Sequence, residues 1–183
     1  MVTGEQLTVR VNLGERSYDI EIGAGVLAHA GAWARDCFRA SHAFVITDTN
    51  VADRFARPVQ ESLLAAGLRV DLQVLPAGEQ EKTPARVYEC WQALVAARAD
   101  RKTLVVAVGG GVMGDLAGFV AASFTRGLRF LQIPTTLLSH VDSSVGGKVG
   151  VNLPEAKNMV GAFWQPSGVL IDTRTLATLP ERE

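Results

Sequence analysis

Along this chain, short runs of β-branched and aromatic residues alternate with longer stretches in which apolar positions recur every three or four residues. The runs at 42–50 ("HAFVITDTN"), 69–76 ("RVDLQVLP"), 103–111 ("TLVVAVGGG"), 128–136 ("LRFLQIPTT") and 167–173 ("SGVLIDT") each end in turn-forming residues and read as buried strands. Between the first four lie helical patterns at 50–67, 83–99 and 111–124, and a further helix is expected over 25–38. Strand alternating with helix at this interval predicts parallel strands joined by crossovers. The expected fold is therefore α/β, a Rossmann-like layered parallel sheet with helices on both faces. Near the amino terminus, 6–13 and 17–22 alternate apolar and polar around "GER", which predicts a β-hairpin. One domain over 1–183 is expected, since no repeat, low-complexity tract or linker interrupts the pattern.

This layout locates candidate chemistry. Ligands of open parallel sheets bind outside the carboxyl ends of the strands. The pattern places there Asp48 and Asn50, the segment from Pro76 to Lys82, Gly109 to Asp115, Thr135 and Thr136, and the residues from Asp172 onward. Gly109, Gly110, Gly111 and Gly114 satisfy G-x-G-x-x-G between a strand and a helix. Bare backbone there lets a diphosphate approach main-chain N–H groups at a helix amino terminus. A packing role for Gly114 and Gly118, four apart on one helix face, is the alternative. The carboxylate expected about 20 residues after such glycines is missing, because the next strand ends in Thr135 and Thr136. The nearest ribose candidate is Asp48, so either the strand order or the ligand pose departs from the usual one. Asp115 is a further candidate, or merely compensates the helix dipole.

"DSSVGGKVGVN", 142–152, is not a P-loop: Asp142 and Val149 stand where Gly and Ser or Thr are required. It gathers a carboxylate, two hydroxyls, a double glycine and Lys148, with Lys157 and Asn158 following. This set suits a hydroxylated anion, or forms a solvated loop. Arg126 either caps the helix before it or meets an anion.

Composition narrows the partners. Apolar residues are 48% and charged residues 20%, and 18 basic residues balance 19 acidic ones, so no bulk field draws nucleic acid or an anionic membrane. Cys37 and Cys90 lie apart on helical patterns and are expected as buried or half-buried free thiols. His29, His42 and His140 form no metal-ligand pair, and His140 with Asp142 would give two ligands at most. "MVTGEQLTVRVN" lacks a signal-peptide layout and no run approaches a membrane span, so a cytoplasmic location is expected.

The blocks "GEQEK", "GGGVMGDLAGFVAASFTRG", "QIPTTLLSHVDSSVGGKVGVN", "KNMVGAFWQP" and "LIDTRTLATLPERE" together closely resemble the amino-terminal domain of the 3-dehydroquinate synthase family, within the sugar phosphate cyclases. The wording differs from the family's commonest at Val149, Leu153, Glu155 and Ala156. The resemblance implies NAD as a recycled redox catalyst. It also implies a divalent metal, zinc or cobalt, and a substrate, 3-deoxy-D-arabino-heptulosonate 7-phosphate, that loses phosphate on the way to 3-dehydroquinate. It implies that Gly110, Gly111, Val112, Met113, Gly114 and Asp115 hold the diphosphate, with Asp48 and Asn50 at the adenosine end. Gly78, Glu79, Lys82, Thr135 and Thr136 would also meet the nucleotide, as would Asp142, Lys148 and Lys157, and Thr175, Leu176 and Thr178 would line its cleft. Asp142, Lys148 and Asn158 would contact substrate, and Arg126 would reach the phosphate in the partner subunit of a homodimer. In the family a mostly helical domain follows "LPERE" and supplies the metal ligands, a Glu and two His. This chain is therefore expected to be the nucleotide-binding half, able to fold and bind NAD weakly but not to turn over. Alternatives are another sugar phosphate cyclase, a metal-dependent polyol dehydrogenase, or a stand-alone nucleotide-binding module.

Overall fold

The structure, a computed structural model, describes residues 6–180. The first five residues of the strand-like amino terminus, and Glu181 to Glu183 of "LPERE", lie outside the described residues. The elements run β1 (Leu7–Val11), β2 (Tyr18–Gly23), α1 (Ala30–Phe38), β3 (His42–Asp48), α2 (Arg57–Ala65), β4 (Arg69–Leu75), α3 (Pro84–Ala96), β5 (Leu104–Gly109), α4 (Gly111–Ser123), β6 (Arg129–Pro134), β7 (Lys148–Leu153), β8 (Ala156–Phe163) and β9 (Gly168–Asp172). The helix expected over 25–38 is split into a 3-10 turn, Val26–His29, and α1, while α2 is entered through a π turn at Ala52–Ala56.

Seven strands form one sheet in the order β1-β2-β9-β6-β5-β3-β4. All neighbours are parallel except the β1–β2 hairpin. Its crossover strands β3, β4, β5, β6 and β9 lie as 2-1-3-4-5, the flavodoxin-like doubly wound order, and not the Rossmann 3-2-1-4-5-6. The order reverses between β3 and β5, which opens a crevice between their carboxyl ends.

Burial on both faces explains the continuous apolar runs. Along β3, Ala43 and Val45 pack with Ala34, Phe38, Val59 and Leu63 of α1 and α2. Phe44 and Ile46 point the other way, into a core with Val87, Cys90 and Leu94 of α3 and Leu116 and Val120 of α4. At the opposite pole buried His42 bridges three segments, its Nε2 lying 2.8 Å from Asp71 Oδ2 and its Nδ1 3.0 Å from Thr103 Oγ1. Burial pushes the Cys90 thiol up to about 12, so it stays an inert thiol. Cys37 departs from expectation. It is exposed, because the buried stripe of α1 runs through Ala30, Ala34 and Phe38 and leaves it on the solvent side.

The sequence pattern did not announce the β7–β8 antiparallel hairpin, which packs on α4 outside the main sheet. It accounts for the nearly all-apolar character of α4, which lies between sheet and hairpin and is buried nearly all round.

Candidate functional site

At the switch point, β5 runs into α4 with little room for side chains. A Cβ on Gly109 would lie 2.8 Å from Met113 Cβ, one on Gly110 3.1 Å from Thr136 Cγ2, and one on Gly111 3.1 Å from Ser143 Oγ. Gly110 is the N-cap and gives no side-chain cap, and the first helical bond runs from Gly114 N–H to Gly110 O. The N–H groups of Gly111, Val112 and Met113 thus have no intrahelical acceptor and carry the positive end of the helix dipole.

A groove of about 550 Å³ opens over these amides. Asp48 and Asn50 line it from the end of β3, Gly78 from the turn after β4, and Gly110, Gly111 and Val112 from the head of α4. Thr135 and Thr136 close the β6 side, and Thr178 lines the far wall with Leu179 and Pro180. Asp48 Oδ1 accepts the Asn50 N–H at 2.8 Å, and burial raises this carboxyl above its ordinary value. Because β3 neighbours β5, this carboxylate precedes the glycines in sequence yet lies beside them in space. The strand order thus explains why no acid follows the glycines. Thr135 Oγ1 is buried without a hydrogen-bond partner among the described residues. Free amides, glycines whose Cβ atoms would crowd Met113, Thr136 and Ser143, an orphaned hydroxyl and a carboxylate at the strand end fit a dinucleotide. Arg54 and Phe55 also line the groove and were not anticipated. The only hint is that Arg54 follows Asn50 by four residues, one helical turn.

A second pocket, about 470 Å³, lies between α4 and the hairpin and is lined by Asp115, Asp142, Ser143, Lys148 and Asn158 among others. Beneath it Lys82 is 4% exposed, its ammonium donating to Asp115 Oδ2 at 2.5 Å and to Asn158 Oδ1 at 2.6 Å. Burial raises the Asp115 carboxyl, with Lys82 opposing the shift. Asp115 is one helical turn beyond Gly111, so α4 serves both pockets at once.

Several expected residues stand elsewhere. Met113 is fully buried in the core and does not line the groove; what it offers is one of the free main-chain N–H groups at the head of α4. Gly114 and Gly118 serve packing, since a Cβ would meet Gln132 Oε1 at 2.9 Å and Val149 Cγ1 at 2.3 Å, respectively. Thr175 does not line the cleft: it is fully buried, donates to Asp172 O at 2.8 Å and lies 3.1 Å from His140 Nε2. Leu176, half-buried on the same 3-10 turn, lines neither pocket. Glu79 and Lys157 share a separate surface depression with Asn152. Arg126 is exposed beyond the far end of α4, about 20 Å along the helix from Gly111, and lines neither pocket. His140 turns inward onto Pro134 O at 3.0 Å, and burial lowers its pKa, so it makes no pair with Asp142. Among the described residues no three His, Cys, Asp or Glu side chains converge on a metal position, so the expected metal does not fit within this chain alone.

A sequence profile described as 3-dehydroquinate synthase N-terminal matches residues 72–183, which include α4 and the second pocket but not the β3 side of the groove. The chain belongs to the 3-dehydroquinate synthase family. A 3-dehydroquinate synthase from Rhodopirellula baltica is 49% identical over 185 residues, covering 96% of this chain and 48% of that protein. The 2-deoxy-scyllo-inosose synthase solved with carbaglucose-6-phosphate, NAD+ and Co2+ has a similar fold, with a TM-score of 0.88 at 32% identity over 96% of this chain and 48% of that one. The 2-epi-5-epi-valiolone synthase of Streptomyces hygroscopicus, solved with NAD+ and Zn2+, gives 0.81 at 33% identity over 94% and 47%. The chain spans about half the length of the relatives it matches.

Proposed function

We propose that this chain is the nucleotide-binding part of a 3-dehydroquinate synthase, which converts 3-deoxy-D-arabino-heptulosonate 7-phosphate to 3-dehydroquinate with loss of phosphate. The observation that carries this reading is the sharing of α4: its free amides floor the groove, and one turn later Asp115 enters the second pocket. A cofactor and a hydroxylated anion bound in the two would be neighbours. NAD+ in the groove supplies a hydride acceptor that is regenerated when the hydride returns. The Gly111, Val112 and Met113 amides hold its diphosphate, and Asp48 accepts from ribose hydroxyls. In the second pocket Asp142 accepts from substrate hydroxyls, Lys148 neutralises an oxyanion, and Asn158 fixes orientation. Arg126, remote from its own pockets, meets the substrate phosphate of a partner copy in a homodimer. No helix among the described residues is long and apolar enough to cross a membrane.

Calorimetric titration with NAD+ tests this reading. Saturable one-to-one binding is expected, and no heat of binding at millimolar NAD+ contradicts it. The described residues assemble no metal site, so the NAD-loaded chain with 3-deoxy-D-arabino-heptulosonate 7-phosphate and Zn2+ is expected to release no phosphate catalytically. Multiple turnovers would overturn that part.

A further inference from the structure

The β7–β8 ladder is interrupted at one position. Val151 pairs with Val160 and Leu153 with Ala156, so the one β7 residue between them, Asn152, faces residues 157–159 of β8 at an irregularity of the β-bulge kind. The extra residues lie on β8, so the strand that bends here is the one carrying Asn158, and Asn152 stands opposite the bend within reach of the "GEQEK" turn. The Asn152 N–H donates to Lys82 O at 2.8 Å and its Nδ2 to Glu79 Oε1 at 2.7 Å. Its Oδ1 accepts the Asn158 N–H at 2.9 Å. A carboxylate only accepts and a backbone N–H only donates, so this carboxamide has one possible orientation. Asn158, the donor of that last bond, is left-handed with φ 58°, a conformation that costs a non-glycine residue free energy unless contacts enforce it. Its own Oδ1 is taken by the Lys82 ammonium at 2.6 Å. Lysine has no acceptor, so the Asn158 Nδ2 hydrogens remain for the pocket.

We propose that Asn152 is a positioning residue. It holds the Asn158 backbone left-handed and, together with Lys82, presents the Asn158 carboxamide to the second pocket as a hydrogen-bond donor. The ligand atom that Asn158 meets is therefore an acceptor oxygen. This last step rests on the reading of Asn158 as a substrate contact, whereas the positioning itself does not.

Backbone amide exchange on the labelled chain tests the proposal without turnover or bound cofactor. In Asn152→Ala the Asn158 N–H is expected to exchange about tenfold faster, from loss of one hydrogen bond, while the Val149 and Gly150 amides keep their protection. The double variant Asn152→Asp with Glu79→Gln reverses donor and acceptor across that contact and keeps an oxygen for the Asn158 N–H. It is expected to restore protection. Unchanged Asn158 exchange in Asn152→Ala would overturn the proposal. So would equal loss across all hairpin amides, or failure of the double variant to rescue. NAD+ titration of the parent chain reports separately on the functional reading, so the two can fail independently.

Discussion

Asp48 closes β3 half-buried, with one carboxylate oxygen on the Asn50 N–H and the other beside Gly109, where a Cβ would lie 3.4 Å away. Its raised folded-state pKa has a definite sign for stability. The unfolded chain ionises this group near pH 3.9. Between that value and the higher folded one the native state holds more protons, so the contribution falls as pH rises through the window and stays low above it. Asp48→Asn is therefore expected to raise the Tm at pH 7, with the gain vanishing below about pH 4. The same change should weaken NAD+ binding about tenfold, through loss of a charged acceptor. A lower Tm at pH 7, or unaltered affinity, would count against this account of the residue. Asp48 and Asn50 were legible because they are the polar end of an apolar run. Thr175, placed in the cleft only by the resemblance, instead faces inward from its 3-10 turn, whereas Thr178 on the same turn lines the groove. Arg54 was missed because a charged residue on an amphipathic helix ordinarily reads as solvated surface.

The five crossover strands and the helices α1 to α4 were readable because each is a single-period apolar pattern bounded by turn residues. The β7–β8 hairpin was not. Gly150 and Gly161 face each other in its ladder, where a Cβ on either would meet the opposite backbone oxygen at 2.4 or 2.2 Å. Glycine inside a strand erases the β-branched signature, and here the close approach of two backbones demands it. Gly118 is constrained from the other side of the same contact, since its added Cβ would also lie 2.9 Å from Phe130 Cε1. Alanine in a helix interior gains roughly 0.5–1 kcal/mol over glycine, whereas overpacking a well-filled site costs about 1–3 kcal/mol. The clash should prevail. Gly118→Ala is expected to destabilise by about 1 kcal/mol in urea unfolding, where an unchanged or higher midpoint would show that the hairpin gives way freely.

Across the molecule, the strand order decided where the binding groove lies, and order cannot be read from one sequence by pattern alone. The glycine motif located one wall, but only the adjacency of β3 to β5 brought Asp48 to it. The same topology gathers Thr135 and Thr178 around the α4 amides from strands and turns far apart in the chain. Residues expected to act together but lying at the opposite end, Arg126 above all, acquire a role only if a second copy presents them. On this reading the bare backbone between β5 and α4 exists to seat a diphosphate. Titration of the isotopically labelled chain with NAD+, followed amide by amide, tests it most directly. The largest shifts are expected on Gly110 to Met113, with Asp48 and Thr135 following at the same saturation. Saturation with those amides unmoved, or with the largest shifts clustered away from the groove, would contradict it.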